Sequence, residues 1–266
     1  MTRHFETLNI SQIDQSVALV KLARPARMNA LTGQMLTEIA EVFAQINGSE
    51  NIRAVVLSGE GKAFCAGQDL TERDPAQNPW PFDLEKIQLD RFHPAIEAIA
   101  TCSKPVIAAV NGITVGAGAG IALACDIVIA AQSAKFAFSF AKVGLSSDAG
   151  CAWHLNCALG PARARAILLR AETLSADEAA RSGLIWKSVP DTELEPAAID
   201  VAQELAAGAG VAQGLIKQVV RAAQTVGYGE YLQIEAELQG VAGRTDDYRE
   251  AVTAFLAKRV PKFSGR

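Results

Sequence analysis

Apolar positions along the chain fall into short solid blocks that alternate with longer stretches of helical spacing. "VALVKL" (17–22) is a β-rich run, followed by "LTGQMLTEIAEVFAQIN" (31–47) with Leu36, Ile39, Phe43 and Ile46 on one helical face and Thr32 placed as N-cap. "AVVLSG" (54–59), "KPVIAAVNG" (104–112) and "DIVIAAQ" (126–132) predict further buried strands, each bounded by Gly, Asn or polar residues. Helical segments are expected between them, at 84–101 and roughly 117–125. This βα alternation predicts an α/β fold. The proline-rich stretch "ERDPAQNPWPFD" (72–83) has no usable periodicity and is expected to be a long surface loop, of the kind often used as a lid. From about 195 onward every segment reads as helix, which suggests an appendage whose apolar faces pack on the body or on a neighbouring subunit. The expected division is therefore 1–200 and 201–266.

Composition narrows the class. A chain of 266 residues, half of them hydrophobic, can bury a sizeable core as one large domain. The net charge of −4 provides no basic field for nucleic acid. The start "MTRHFETLNISQ" lacks the features of a secretory signal, and no apolar stretch approaches the ~20 residues of a membrane span. A cytoplasmic protein with no nucleic-acid or membrane partner is expected. Five cysteines without paired spacing read as reduced, mostly packed thiols.

Two glycine-rich segments follow strands: "GEGKAFCAGQDL" (59–70) and "NGITVGAGAGIALACD" (111–126). Small residues where a strand ends leave backbone N–H groups free to face a bound oxygen, and two such turns can converge on one acceptor. Close helix-to-strand packing is the plainer use of "GAGAG". A dinucleotide fingerprint fails on spacing, because Asp126 comes too soon, and a Walker loop fails for want of Gly-Lys-Ser/Thr.

The set "RPARMNALT" (24–32), "GKAFCAGQDL" (61–70), "KPVIAAVNGITVGAGAGIALACDIVIAAQSAKFAF" (104–138) and "FLAKRVPKF" (255–263) resembles the enoyl-CoA hydratase/isomerase, or crotonase, superfamily over nearly the whole chain. The resemblance implies a spiral of ββα units, a C-terminal helical region that assembles trimers or dimers of trimers, and acyl-CoA thioester substrates. No cofactor or metal is implied beyond the coenzyme A of the substrate. It also implies an oxyanion hole made by the N–H groups of Gln68 and Ala117. Two preorganised donors there would stabilise the enolate that forms when a thioester loses its α proton.

The resemblance further implies where acids should stand. The two glutamates of the hydratases correspond to Gly120 and Phe140, so both are absent and water addition is expected to be weak. Asp148, in "VGLSSDAGCAWH" (143–154), occupies the position used by members that work with one aspartate: dienoyl-CoA isomerases, a chlorobenzoyl-CoA dehalogenase, and the isomerases that open the ring epoxide of phenylacetyl-CoA in phenylacetate breakdown. The last group is most similar, through "GLIKQ" (214–218) and "AGRTDDYREAVTAFLAKRVPKFSGR" (242–266). Alone, "SSDAG" before a helix reads as an N-cap; with the resemblance, Asp148 is expected to shuttle a proton. Nucleophilic attack by its carboxylate, a hydratase, and a non-catalytic CoA- or RNA-binding homologue are the competing readings.

Arg24, Met28, Ala66, Gln68, Asp69, Leu70, Gly116 and Phe140 are expected around the CoA and acyl group. Phe255 and Lys258, three apart on the last helix, resemble residues that reach a neighbouring subunit's CoA. Cys151, His154 and Cys157 replace the glycine-rich pattern of relatives; at i, i+3 and i+6 they converge poorly as ligands and read as small core thiols and a packed histidine. Glu85 and Asp90 read as solvated, and His93 as packed.

Overall fold

Two sheets are built in alternation as the chain proceeds, in a computed structural model that describes residues 5–266. Residues 1–4 of the segment searched above for a signal lie outside the described residues. After β1 (Leu8–Gln12), β2 (Val17–Leu22) and α1 (Gly33–Asn47), three similar units follow. The first is β3 (Ala54–Gly59), β4 (Ala63–Cys65), α2 (Leu84–Ile87) and α3 (His93–Ala100). The second is β5 (Val106–Val110), β6 (Ile113–Val115) and α4 (Ala117–Leu123). The third is β7 (Ile127–Ala131), β8 (Lys135–Ala137) and α5 (Cys151–Leu169). The body closes with β9 (Thr173–Ser175), α6 (Ala176–Arg181), β10 (Lys187–Val189) and α7 (Leu194–Ala206). Three helices end the chain: α8 (Gly210–Ala222), α9 (Tyr228–Ala242) and α10 (Asp246–Leu256).

Each unit sends its first strand to one sheet and its second strand to the other. The larger sheet has the order β1-β2-β3-β5-β7-β10, parallel except for the β1–β2 pair. The smaller has the order β4-β6-β8-β9, with β9 antiparallel. This is the ββα spiral expected of an α/β crotonase-like chain. β3 and β5 are buried at every position, as a parallel sheet covered on both faces requires. In α1 the expected cap is present, Met35 N–H donating to Thr32 Oγ1, and Leu36, Ile39, Phe43 and Ile46 are buried.

The smaller sheet went unread because three-residue strands are too short to show a period of two. The helix expected over 84–101 is broken: α2 passes through a π-helical turn, Gln88–Phe92, before α3. Residues 72–83 begin in a short 3₁₀ turn (Leu70–Arg73) and continue as loop to Asp83, the N-cap of α2.

The expected division at 200/201 falls inside α7, which lies on β3, β5 and β7 with Ala198 and Ala202 fully buried. α8 is fastened to the body by Lys217, which pairs with Asp126 at 2.7 Å and donates to the carbonyls of Cys102 and Lys104. α9 has no buried residue, and Ile216, Val220 and Leu232 on the α8–α9 pair are exposed. The last residues fold back: Asp247 accepts from Ser264 and Gly265 N–H, and Arg53 donates to the Phe263 carbonyl.

Candidate active site

The two glycine-rich turns meet. Gly67 has φ +83°, and a Cβ added there would lie 2.7 Å from the Val115 carbonyl and 3.9 Å from the Ala117 nitrogen. Only a residue without a side chain allows that approach. Ala117 is the first residue of α4, behind Gly116 with φ 52° and ψ −120°. The N–H groups of Gln68 and Ala117 donate to no acceptor among the described residues, whereas the flanking Asp69 and Gly116 amides are taken up by Leu31 and Ala137. Two adjoining turns thus leave one free donor each, the requirement for an oxyanion hole.

Residues expected around the CoA fall along one rim. Segment 28–31 runs beside 66–69, with Ala66 N–H on the Met28 carbonyl at 2.9 Å and Leu31 N–H on the Gly67 carbonyl at 2.7 Å. Met28 and Leu70 are exposed there. Arg24 pairs with the buried Asp69 at 2.9 Å and also donates to the Ala30 carbonyl. Asp69 in addition caps the 3₁₀ turn through Thr71. These two side chains hold the rim together.

Gly120 and Phe140 explain the missing acids. A Cβ on Gly120 would stand 2.2 Å from the Ala149 carbonyl oxygen and 2.6 Å from its Cβ, so no side chain fits. Ala149 and Gly150 both have positive φ, 52° and 75°, and this left-handed turn seats residue 149 directly on Gly120. Phe140 is buried, its ring 3.5 Å from where a Gly116 Cβ would be. Of the two positions where the resemblance expects hydratase acids, one is crowded by the chain's own backbone and the other holds a buried aromatic ring.

Asp148 precedes that turn and is not the cap of α5. The N-cap is Gly150, with no side-chain capping bond. Instead Asp148 Oδ2 accepts from Gln88 Nε2 at 3.0 Å, and Oδ1 is buried without a hydrogen-bond partner. Burial pushes its carboxyl above the usual range, against the pull of Gln88, Arg73 and His93. Gln88 and Arg73 carried no signal beyond being polar residues in a helix and a loop. Gln88 begins the π-helical turn, and such turns are frequent at functional sites. Arg73 lines a cavity of about 550 Å³ together with Gln68, Glu72, Ile87 and Phe92 among others, a cavity whose lining does not include Asp148 or Gln88.

The remaining candidates sort plainly. Cys151 is buried and donates to the Gly116 carbonyl at 3.3 Å, bracing the turn at 116–117, and burial raises its thiol well above the ordinary value. His154 is half-buried and lowered to about 4 by burial and by Arg221. Cys157 is exposed rather than packed. Among the described residues no three His, Cys, Asp or Glu side chains gather as metal ligands. His93, expected to be packed, is exposed at the start of α3, close enough for its charge to bear on Asp148. Glu85 is exposed, and the exposed Asp90 pairs with Lys86. Phe255 is exposed on α10, and Lys258 lies beyond its C-cap with φ 53° rather than on the helix. Among the described residues neither side chain is tied to the two turns by a hydrogen bond or ion pair.

Comparison with known proteins gives the lineage. The sequence profile of the enoyl-CoA hydratase/isomerase family matches residues 12–266. The chain is 43% identical to the 1,2-epoxyphenylacetyl-CoA isomerase of Escherichia coli K12, over 97% of this chain and 98% of that one. It is also 43% identical to a protein of Rhodobacter capsulatus named a probable enoyl-CoA hydratase, over 96% and 97%. A crystal structure of enoyl-CoA hydratase from Bacillus anthracis superposes with a TM-score of 0.91 at 32% identity, covering 98% of this chain and all of that one. Equal identity to an isomerase and to a hydratase by name leaves the reaction to be argued from the acids of the site.

Proposed function

Because this chain belongs to the enoyl-CoA hydratase/isomerase family, we propose that it is an acyl-CoA isomerase that works with the single carboxylate of Asp148. The observation that carries this reading is the pair of filled acid positions, Gly120 and Phe140, beside one aspartate whose Oδ1 is buried and unpartnered. Activating and placing a water takes two carboxylates in the hydratases the chain resembles. A proton shift takes one.

Asp148 Oδ1 removes the α proton of the acyl thioester. The electrons of that C–H bond move onto the thioester oxygen, where the N–H groups of Gln68 and Ala117 stabilise the enolate. A raised carboxyl pKa suits this step, since a general base works best with a pKa near the operating pH. The protonated Asp148 then returns the proton to a carbon farther along, which converts a 3-enoyl to a 2-enoyl thioester with no water gained or lost. With a ring-epoxidised phenylacetyl-CoA the C–C bond shared by the six-membered ring and the epoxide breaks, both C–O bonds are kept to give the seven-membered oxepin, and Asp148 carries the α proton to a ring carbon. We take this epoxide as the physiological substrate, on the similarity to the Escherichia coli isomerase and the long match of the C-terminal segment. That assignment places the enzyme in phenylacetate catabolism. The reaction as written draws on no group beyond the thioester and this chain's residues.

The exposed apolar residues of α8–α10, Phe255 and Leu256 among them, suit a homotrimer or a dimer of trimers that would carry Phe255 and Lys258 to a neighbouring subunit's CoA. The test of the reaction is conversion of a 3-enoyl-CoA to its 2-enoyl isomer by the native protein and by Asp148→Asn, with crotonyl-CoA hydration measured alongside. Isomerisation that the variant loses, without hydration by either, supports the reading. Hydration by the native protein, or equal isomerisation by both, contradicts it.

A further inference from the structure

The Gln68 N–H and the Gly67 C=O belong to one trans peptide plane, so the direction of the carbonyl fixes that of the amide. Leu31 N–H donates to the Gly67 carbonyl at 2.7 Å, and Asp69 N–H returns to the Leu31 carbonyl at 2.9 Å. The Gln68 amide therefore points away from Leu31, and its aim is only as firm as the register of 28–31 against 66–69. The backbone alone holds that register weakly. Leu31 and Gln68 form an isolated bridge outside both sheets, and it follows a turn in which Met28 and Asn29 are left-handed, with φ of 49° and 54°. Side chains supply the rest. The fully buried Asn29 accepts from the Arg24 N–H at 2.9 Å and donates to the Glu60 and Ala63 carbonyls at 2.9 and 2.8 Å. The Arg24 guanidinium then spans the two segments. Its Nη1 donates to the Ala30 carbonyl, just before Leu31, and its Nη2 pairs with Asp69 Oδ2 at 2.9 Å, just after Gln68. Asp69 Oδ1 is fixed in turn by the N–H of Thr71 at 3.1 Å and its hydroxyl at 2.7 Å.

A planar fork that holds a carbonyl of one segment and a carboxylate of the other sets the spacing between them, which a point charge does less well. The pair is also sheltered, with the Arg24 side chain 22% exposed and that of Asp69 8%, so water competes weakly for either end. We infer that Arg24 is a positioning residue of the reaction: by stapling Ala30 to Asp69 it aims the Gln68 N–H at the thioester oxygen, and its guanidinium is committed to this staple rather than to the coenzyme. This rests on the acyl-CoA isomerase reading and deepens it. A preorganised donor stabilises an enolate only while it stays on line with the oxygen, and a misplacement of about 1 Å can cost on the order of 10²-fold in rate.

A staple and a coenzyme contact separate in binding and in spectroscopy. Free CoA binding by calorimetry, and the infrared stretch of an isotope-labelled thioester carbonyl in bound phenylacetyl-CoA, are measured on the native protein, Arg24→Lys and the double variant Arg24→Met/Asp69→Asn. The double variant leaves no buried charge unpaired and keeps an acceptor for Thr71. Thermal unfolding checks each fold, and should the double variant not fold, Arg24→Lys carries the test. The native carbonyl stretch should move to lower frequency on binding, the mark of donors on its oxygen. The double variant should lose about half of that shift, as one of two donors swings away, and bind free CoA within about twofold of native. Its α-proton exchange at saturating phenylacetyl-CoA should fall about 10–10²-fold. Arg24→Lys, with the charge but not the planar fork, should fall between. No native shift, a shift that both variants retain in full, or a loss of free CoA affinity of about tenfold or more in either overturns the staple. A mistaken base would show separately, as exchange that persists in Asp148→Asn while the carbonyl shift still depends on Arg24.

Discussion

On one side of the site, segments 65–70 and 116–120 present backbone amides; on the other, Arg73, Gln88 and Asp148 present side chains. The first side is fixed by close approach, with Gly67 against the Val115 carbonyl and Cys151 behind Gly116. Nothing there depends on which side chain stands at 68 or 117. The second side depends wholly on side-chain identity, with buried unpartnered atoms on all three residues. On the proposed reading the amide side would serve any thioester that forms an enolate, and the side-chain wall would decide which reaction follows.

The sharpest way to break that comparison is to remove the base. Asp148→Asn should lower isomerisation about 10²–10⁴-fold in steady-state kinetics. The same variant should be more stable than the native protein at neutral pH. Burial raises the Asp148 pKa above its usual 3.8, so the folded state holds this proton more tightly than the unfolded chain does. Stability from this group is therefore highest at low pH and falls as pH rises from about 3.8 through the raised value. Thermal unfolding across pH should show the advantage of Asp148→Asn vanishing below that window and growing through it.

Next comes the amide side. Gly67→Ala adds a Cβ 2.7 Å from the Val115 carbonyl at a φ of +83°, which must shift the neighbouring Gln68 amide. Turnover should fall on the scale of one lost oxyanion donor, about 10²–10³-fold. Gly120→Glu asks whether the missing acid can simply be restored. Ala149 occupies the space, so we expect no crotonyl-CoA hydration and a loss of about 1–3 kcal/mol in denaturant unfolding. Smallest is Cys151→Ala, expected to cost about 1 kcal/mol of stability. Its turnover should stay within a few fold, because the buried, strongly raised thiol is not a nucleophile.

The two sides also differed in how far the sequence disclosed them. The amide side was legible, because glycine-rich turns after buried strands have few uses and their order matches the family. Asp148 was legible only through the family: locally "SSDAG" reads as a cap, and the left-handed turn at 149–150 that moves the cap to Gly150 leaves no pattern. Gln88 and Arg73 were missed because they come from a broken helix and a proline-rich loop, where period says nothing about which side chains face inward. Of the larger sheet β2, β3, β5 and β7 were visible as solid apolar blocks, while its outer strands β1 and β10 went unread and the smaller sheet was hidden in three-residue strands. Likewise Lys258 was placed one helical turn from Phe255, whereas the chain leaves the helix before it.

The central claim is that one carboxylate moves a proton on and off the carbon beside the thioester. Exchange of the α protons of phenylacetyl-CoA in D₂O, followed by mass spectrometry, reads that step without any later chemistry. The account predicts deuterium uptake with the native protein and almost none with Asp148→Asn. Uptake at equal rates in both would contradict it and return Asp148 to a structural part.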